Sequence, residues 1–268
     1  MAKRILYAIP ALALLFTVIY LHGLYAKVAV ALTAVICMHE VMRACAAVAR
    51  PLRGVGFAYA ALIYPAFEFA GGFMGIALLT VLGMIAVLIA LVVTKRDAVD
   101  GLLTALSMMY PGLFFVFIIA LLASPPPDVS RFLLIIAFGA AVVTDTFAYL
   151  TGILFGRHKL LPAVSPKKTV EGAAGGLLFG AGAVTVFGLV LTEPFGIRPI
   201  PLLWYALLGA VLSILSQFGD LAASYMKRRF GIKDFGRLMG EHGGAMDRLD
   251  SVLFICPAVF AFYLLFAA

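Results

Sequence analysis

Long apolar runs alternate with short polar segments along the whole chain. Nine of these runs are about 17–25 residues long, which is the length that a helix needs to cross a bilayer. Charged residues fall mainly between the runs, and the stretch "EFAGGF" separates the third run from the fourth. The pattern predicts nine membrane helices with approximate limits 5–21, 27–47, 54–72, 73–94, 101–123, 131–154, 171–192, 200–223 and 249–267. We therefore expect an all-α, polytopic integral membrane protein.

Composition supports this fold class. The chain has 268 residues, of which 64% are hydrophobic and 12% are charged, and its mean hydropathy is +1.12. A soluble domain would carry about 25% charged residues. The first stretch, "MAKRILYAIPALALLFTVIYLHG", has the basic start of a signal peptide but lacks a small-x-small cleavage site. We interpret it as the first membrane helix.

The basic residues predict the orientation of the chain. With nine spans, the N-terminus and the loops after spans 2, 4, 6 and 8 lie on one side of the membrane. That side holds all but three of the 20 Lys and Arg residues, the exceptions being Lys27, Arg131 and Arg198. Because cytoplasmic loops carry an excess of Lys and Arg, this asymmetry places the N-terminus and these loops in the cytoplasm. No basic stretch interleaved with aromatic residues is present, so we expect no nucleic-acid partner.

Several site chemistries are excluded by missing motifs. The sequence contains no GxxxxGK[ST], no GxSxG and no HExxH, which argues against a P-loop, a serine hydrolase elbow and a zinc protease. The three cysteines, Cys37, Cys45 and Cys256, lie in apolar runs without CxxC spacing and are interpreted as small core residues.

Four acids lie in the interior of predicted spans, away from the first residues of a span, where a charge is expensive and marks a functional candidate. For Glu40 we expect a structural ion pair, because Arg43 follows one helical turn later. Glu68 has no partner near it in the sequence and is given no role. Asp145 and Asp220 lie in the cytoplasmic halves of spans 6 and 8.

Two cytoplasmic loops carry the polar residues that are candidates for chemistry. They are "GRHKLLPAVSPKKTVEG", residues 156–172, and "KDFGRLMGEHGGAMDRLDS", residues 233–251. Asp247 and Asp250 are three residues apart, so they share one face of the helix that begins there. Gly243 and Gly244 precede them, and adjacent glycines let the backbone approach a ligand closely. Carboxylates combined with clustered lysines are typical of a site that binds Mg²⁺ and a polyphosphate.

The second loop carries a specific resemblance. "SYMKRRFGIKDFGRLMGEHGGAMDRLD", Ser224 to Asp250, resembles the signature of the phosphatidate cytidylyltransferases, also called CDP-diacylglycerol synthases. The matching residues are Ser224, Lys227, Arg228, Lys233, Asp234, His242, Gly243, Gly244, Asp247, Arg248 and Asp250. The blocks "TDTFAYLTGILFGRHKL", "SPKKTVEG" and "QFGD" resemble the same family, so the resemblance covers the C-terminal half. Gly240-Glu241 departs from the usual Pro-Gly, which adds a negative charge beside the expected phosphate site.

The resemblance implies a reaction and a set of roles. The reaction is CTP plus phosphatidate giving CDP-diacylglycerol and pyrophosphate, at the cytoplasmic face of the membrane. It implies one membrane domain, 1–268, with N-terminal helices in 1–123 and the catalytic helices and loops in 131–268. The expected catalytic residues are Asp220, Asp247, Lys167 and Lys168. The expected Mg²⁺ ligands are Asp220 and Asp247, with Asp145 and Asp250 as ligands or as groups behind them. The expected substrate-binding residues are Ser165, Lys167, Lys168, Thr169, Ser224, Lys227, Arg228, Lys233, Asp234, His242, Gly243, Gly244 and Arg248.

Some alternatives stay open at this point. The resemblance suggests a homodimer and leaves open a second, monovalent, cation beside Mg²⁺. A CTP-dependent polyprenol or dolichol kinase shares part of the pattern, although the full run of matching residues favours the cytidylyltransferase. A phosphate or nucleotide transporter is less favoured, since transporters place polar residues near the membrane midplane. The DGxxAR pattern of CDP-alcohol phosphatidyltransferases is absent.

Overall fold

The computed structural model describes residues 16–21, 23–198, 200–240 and 243–266. These residues form helices and one short hairpin. The first five helices are α1 (Gly23–Cys45), α2 (Arg53–Phe69), α3 (Phe73–Thr94), α4 (Ala98–Ser107) and α5 (Phe114–Ala123). They are followed by α6 (Pro127–Phe155), β1 (Lys159–Leu161), β2 (Ser165–Thr169), α7 (Val170–Leu191), α8 (Leu202–Arg229) and α9 (Met246–Phe266). Two π-helical turns, Thr17–Leu21 and Met108–Leu113, complete the described elements.

Within the described part of the chain, seven helices are long and apolar enough to cross a membrane. They are α1, α3, α4 joined to α5, α6, α7, α8 and α9. The all-α, polytopic class is therefore confirmed, while the count of nine and the cytoplasmic N-terminus stay predictions. The predicted span 5–21 lies mostly outside the described residues. The predicted span 54–72 corresponds to α2, which has 17 residues and is about 25 Å long at 1.5 Å per residue.

The stretch "MYPGL" forms a kink between α4 and α5. Proline removes a backbone donor and clashes with the preceding turn, so a helix cannot run straight through it. In the π-helical turn Met108–Leu113, Tyr110 has φ −129° and ψ 112°, outside the helical region, and Pro111 follows it.

The described residues group into two compact units. The first unit takes its residues from Met1–Ala123 and Arg229–Leu249, and it contains α1 to α5. Within it, α1 packs on α2 and α5, and α2 packs on α3. α3 is uniformly apolar, and only 11% of its membrane-length window is buried within the protein, as expected of a helix that faces lipid.

The second unit comprises Ser124–Arg228 and Asp250–Ala268. Its most extensive contact joins α6 to α7. The two helices pack closely along the small residues of "EGAAGGLLFGAGA". A Cβ at Gly176 would lie 2.9 Å from Thr144 O and from Ala148 Cβ. Small residues allow such an approach because they leave room between the two backbones. In lipid there is no hydrophobic driving force between helices, so close packing has to hold them together.

Candidate functional site

A β-hairpin in the second unit carries the two lysines of the "SPKKT" motif. Strands β1 and β2 pair antiparallel, with Lys159 opposite Thr169 and Leu161 opposite Ser165. Lys167 is exposed, whereas Lys168 is half-buried. The sequence predicted a loop here and missed the strands, because three and five residues are too few to show a two-residue period.

The hairpin is fixed at its junction with α7. Val170 N–H donates to His158 O at 2.9 Å. The Glu171 carboxylate accepts from Arg157 N–H at 3.1 Å and lies 2.6 Å from His158 Nδ1. These bonds tie the start of β1 to the first turn of α7, so the hairpin has a defined place for its lysines.

Thr169 ends the hairpin and begins the helix. Its Oγ1 accepts from Gly172 N–H at 3.1 Å, which caps α7, and the residue is buried. Ser, Thr, Asn and Asp are favoured at this position because they satisfy an otherwise unpaired helix amide. Thr169 was predicted to bind substrate. In the structure its side chain caps α7, and its role in substrate binding stays a prediction.

Asp220 lies in α8 and is held by two side chains. Lys168 Nζ is 2.7 Å from Asp220 Oδ2, with about a quarter to a third of each side chain exposed (26% and 32%). Ser224, one turn further along α8, donates from Oγ to Asp220 Oδ1 at 3.2 Å. Three predicted site residues from three separate stretches of the sequence therefore meet in the second unit.

Gly219 explains how Asp220 comes close to α9. A Cβ at this position would lie 2.5 Å from Asp250 O and 3.1 Å from Ser251 Cα. Any larger residue would push the two helices apart. The glycine of the "QFGD" stretch thus allows the contact that brings Asp220 and Asp250 together.

Three carboxylates gather around this contact, and we call them the carboxylate cluster: Asp145, Asp220 and Asp250. Asp250 is buried and lies within electrostatic range of both other members and of Lys227. Ser251 Oγ donates to Asp145 Oδ2 at 3.5 Å, and Ser251 N–H donates to Asp250 Oδ1 at 2.8 Å. The cluster draws on three helices, α6, α8 and α9.

The donor set of the cluster fits a hard divalent cation. In the part of the chain that the structure describes, no three Asp, Glu, His or Cys side chains are close enough to hold one metal ion. Mg²⁺ needs only one or two carboxylates, because it keeps several waters and takes its other ligands from substrate phosphates. All the acids of the cluster supply the oxygen ligands that Mg²⁺ prefers.

Asp247 lies in the first unit and makes a different kind of contact. Its Oδ2 accepts from Phe235 N–H at 2.8 Å and from Gly244 N–H at 2.9 Å. Gly243, with φ +82°, is packed so tightly that a Cβ would lie 2.8 Å from the same oxygen. Asp247 thus holds the segment between α8 and α9, residues 230–245, which we call the glycine loop.

Glu40 holds the same loop, and this contact corrects the prediction of an ion pair with Arg43. Its Oε1 accepts from Ala245 N–H at 3.2 Å and its Oε2 accepts from Met246 N–H at 2.8 Å. Arg43 lies within electrostatic range of Glu40, but both carboxylate oxygens are taken up by the two amides. Spacing along the chain could not indicate this contact, since the partner amides are 205 and 206 residues away.

The remaining predicted site residues lie at the surface or outside the part of the chain that the structure describes. Arg228, Lys233, Asp234 and Arg248 are exposed. His242 and the neighbouring Glu241 lie outside the described residues.

Two features of the first unit were also missed from the sequence. Glu68, which was given no role, lies 2.9 Å from Lys27 in an ion pair between α1 and α2. A cavity of about 520 Å³ is lined by Arg50, Arg53 and Arg96, none of them a predicted site residue, together with apolar side chains.

Comparison with known proteins identifies relatives of the whole chain. The profile of the family described as "Cytidylyltransferase family" matches residues 2–266. The phosphatidate cytidylyltransferase of Staphylococcus haemolyticus (strain JCSC1435) is 32% identical over 262 residues, which cover 96% of each chain. That of Bacillus subtilis (strain 168) is 36% identical over 197 residues, 72% of this chain and 69% of the relative. That of Aquifex aeolicus (strain VF5) is 40% identical over 161 residues, 60% of this chain and 55% of the relative.

Proposed function

We propose that this chain, which belongs to the cytidylyltransferase family, transfers the cytidylyl group of CTP to phosphatidate and releases pyrophosphate. The product is CDP-diacylglycerol, the activated lipid for phospholipid synthesis. The full-length likeness to a phosphatidate cytidylyltransferase supports this assignment. The observation that carries it is the meeting of Asp220 with Lys168 beside Asp250, since a lysine next to carboxylates is the combination that a metal–phosphate complex would need.

The reaction needs groups that neutralise phosphate charge more than it needs a strong base. An oxygen of the phosphatidate phosphate forms a bond to the α-phosphorus of CTP, and the bond from that phosphorus to the bridging oxygen of pyrophosphate breaks. The attacking phosphate is already anionic, so no proton has to be removed from it. The barrier comes from bringing two polyanions together, and preorganised positive groups lower it.

The residues of the second unit would meet this need. Lys168 is paired with Asp220, and its flexible stem lets the ammonium group move to a phosphate. Lys167, exposed one residue earlier on β2, would bind a second phosphate. Ser224 keeps Asp220 in a fixed rotamer through its hydrogen bond to Oδ1. These groups would orient CTP with its α-phosphorus open to the lipid.

Mg²⁺ is the cofactor that we propose for the carboxylate cluster. Asp220 and Asp250 would hold it, with Asp145 as a further ligand or as a group behind them. When bound, it would offset phosphate charge and stabilise the leaving pyrophosphate. The metal role predicted for Asp247 stays a prediction, because Asp247 Oδ2 is engaged with two amides of the glycine loop. The homodimer also stays a prediction.

We also propose that the site faces the cytoplasm. The distribution of Lys and Arg along the sequence supports this, since all but three of the 20 fall on the side that carries both polar loops. A water-soluble nucleotide would then reach a lipid phosphate at the membrane surface without crossing the bilayer.

The test is turnover by purified protein in detergent, with Mg²⁺, phosphatidate and CTP labelled with ³²P at the α-phosphate. We expect label in the lipid fraction, dependent on phosphatidate and matched by release of pyrophosphate. Folded protein that labels no lipid would contradict the proposal. A parallel reaction with γ-labelled CTP and a polyprenol covers the lipid-kinase alternative, for which label would pass to the lipid only from the γ-position.

A further inference from the structure

Glu40 makes contacts that no part of the proposed reaction uses. It lies in α1 and is 5% exposed, and a buried carboxylate is costly unless hydrogen bonds compensate for its lost hydration. Each of its two oxygens accepts one backbone amide, from Ala245 and from Met246. These residues end the glycine loop and begin α9. The carboxylate is therefore a two-point clamp on the start of that helix.

The glycine loop is shaped to fit this carboxylate. A Cβ built at Gly236 would collide with Glu40 Oε1 and Cδ, and a Cβ at Gly244 would collide with Cδ and both oxygens. Both glycines are buried. Two separate points of the loop therefore close around one side chain, which is more than a helix cap requires.

Asp247 completes the arrangement. Its Oδ2 accepts from Phe235 N–H and Gly244 N–H, and the Asp247 carboxylate lies within electrostatic range of Glu40. Two acids of the first unit thus bind four amides of a single loop and of the helix start that follows it. If the Glu40 clamp opened, the backbone that holds Asp247 would lose its support on one side.

We propose that Glu40 is a positioning residue for cytidylyl transfer, acting through the glycine loop rather than on the substrate. The inference deepens the proposed function and rests on it. The loop carries Lys233, Asp234, Gly243 and Gly244 of the family signature, and Arg248 follows within the first turn of α9. A displacement of a binding group by about 1 Å can lower the reaction rate about 10²-fold. A carboxylate that fixes this backbone therefore controls the rate without touching CTP.

The test compares Glu40→Gln and Glu40→Asp with the wild type. The glutamine keeps the shape but turns an NH₂ group towards one of the two amides, so that amide loses its acceptor. The aspartate keeps the charge and, being one methylene shorter, retains part of the clamp. Glu68→Gln is the matched control, because it removes another carboxylate of the first unit that is paired with Lys27 instead of with the loop.

Two readouts are taken on full-length protein in detergent. The first is hydrogen–deuterium exchange of the peptide that spans Phe235 to Asp247. The second is kcat and KM for CTP, expressed per folded molecule. We expect Glu40→Gln to speed exchange in this peptide and to lower kcat and kcat/KM together by about 10–100-fold. Glu40→Asp should fall between wild type and Glu40→Gln, and Glu68→Gln should change neither readout.

Each other outcome has a defined meaning. Unchanged exchange in Glu40→Gln would overturn the clamp. Faster exchange with an unchanged kcat would show that Glu40 only stabilises the fold, and it would overturn the positioning role. Wild-type protein that forms no CDP-diacylglycerol would refute the proposed function instead, and the exchange rates would still decide the clamp.

Discussion

The two units place carboxylates among apolar helices, but they satisfy them in different ways. In the second unit, Asp220 is bound by the side chains of Lys168 and Ser224. In the first unit, three carboxylates bind backbone amides. Glu40 takes those of Ala245 and Met246, Asp247 takes those of Phe235 and Gly244, and Asp100 takes that of Arg50 at 2.6 Å.

This difference separates carboxylates that build the protein from carboxylates that remain exchangeable. An amide bound to a carboxylate cannot move without moving the chain, so those acids are committed to the backbone conformation. A lysine can swing from a carboxylate to a phosphate, which leaves the carboxylate available to a metal ion. The comparison therefore predicts that carboxylates of the second kind contact the metal ion or the substrate, whereas those of the first kind act through the backbone that they fix.

The largest expected effect is that of Asp220→Asn. The substitution keeps the size of the side chain and removes its charge, and we expect kcat to fall by about 10³-fold or more, as for loss of a group that stabilises transition-state charge. Thermal stability should stay within about 1 kcal/mol, because the half-exposed pair with Lys168 contributes little. Near-normal turnover, measured with α-labelled CTP, would remove Asp220 from the site.

Gly219→Ala tests the helix contact that brings the cluster together. The new methyl group would meet Asp250 O, which is backbone and cannot rotate away. We expect the shift between α8 and α9 to lower kcat by about 10²-fold. Gly182→Ala is the control, since a Cβ there meets nothing within 4 Å. If the two variants had equal activity, Asp220 would not depend on this close approach.

Lys168→Met tests the lysine that pairs with Asp220. A hydrogen bond to a charged group contributes about 1.5–3 kcal/mol, so we expect kcat/KM for CTP to fall by about 10–100-fold. Lys159→Met, in the exposed first strand of the same hairpin, should leave it unchanged. An equal loss in both variants would mean that the hairpin attracts CTP only through its overall charge.

The smallest effect belongs to Glu68→Gln. The Lys27–Glu68 pair is partly exposed, with side-chain exposures of 15% and 29%, and such pairs contribute about 0–1 kcal/mol. We expect a change of that size in thermal stability and none in kcat. A loss of turnover would show that carboxylates outside both sets also serve the reaction.

Much of the helical framework is readable from the sequence, because membrane helices must be long and apolar. The predicted span 171–192 differs by one residue at each end from Val170–Leu191. The span 73–94 coincides with Phe73–Thr94. The hairpin is not readable, since its strands are too short for a periodic pattern and are fixed by contacts of Glu171 with Arg157 and His158.

The candidate site also has residues that the sequence indicated and contacts that it did not. Polar residues inside predicted spans pointed to Asp145 and Asp220, because charge in a membrane helix is expensive. Helical spacing suggested Arg43 as the partner of Glu40, but the amides that Glu40 binds are more than 200 residues distant. Contacts of this kind depend on tertiary structure, and a single sequence carries no trace of them.

The most direct test measures kcat and thermal stability together for Asp220→Ala and Asp100→Ala. Asp100 is buried and binds the backbone of Arg50, so its loss leaves an unsatisfied amide and should cost about 1–3 kcal/mol of stability, with kcat per folded molecule unchanged. Asp220→Ala should keep its stability and lose cytidylyl transfer to phosphatidate. If Asp220→Ala retained transfer, or if both variants lost it equally, the assignment of the reaction to the carboxylate cluster would be contradicted.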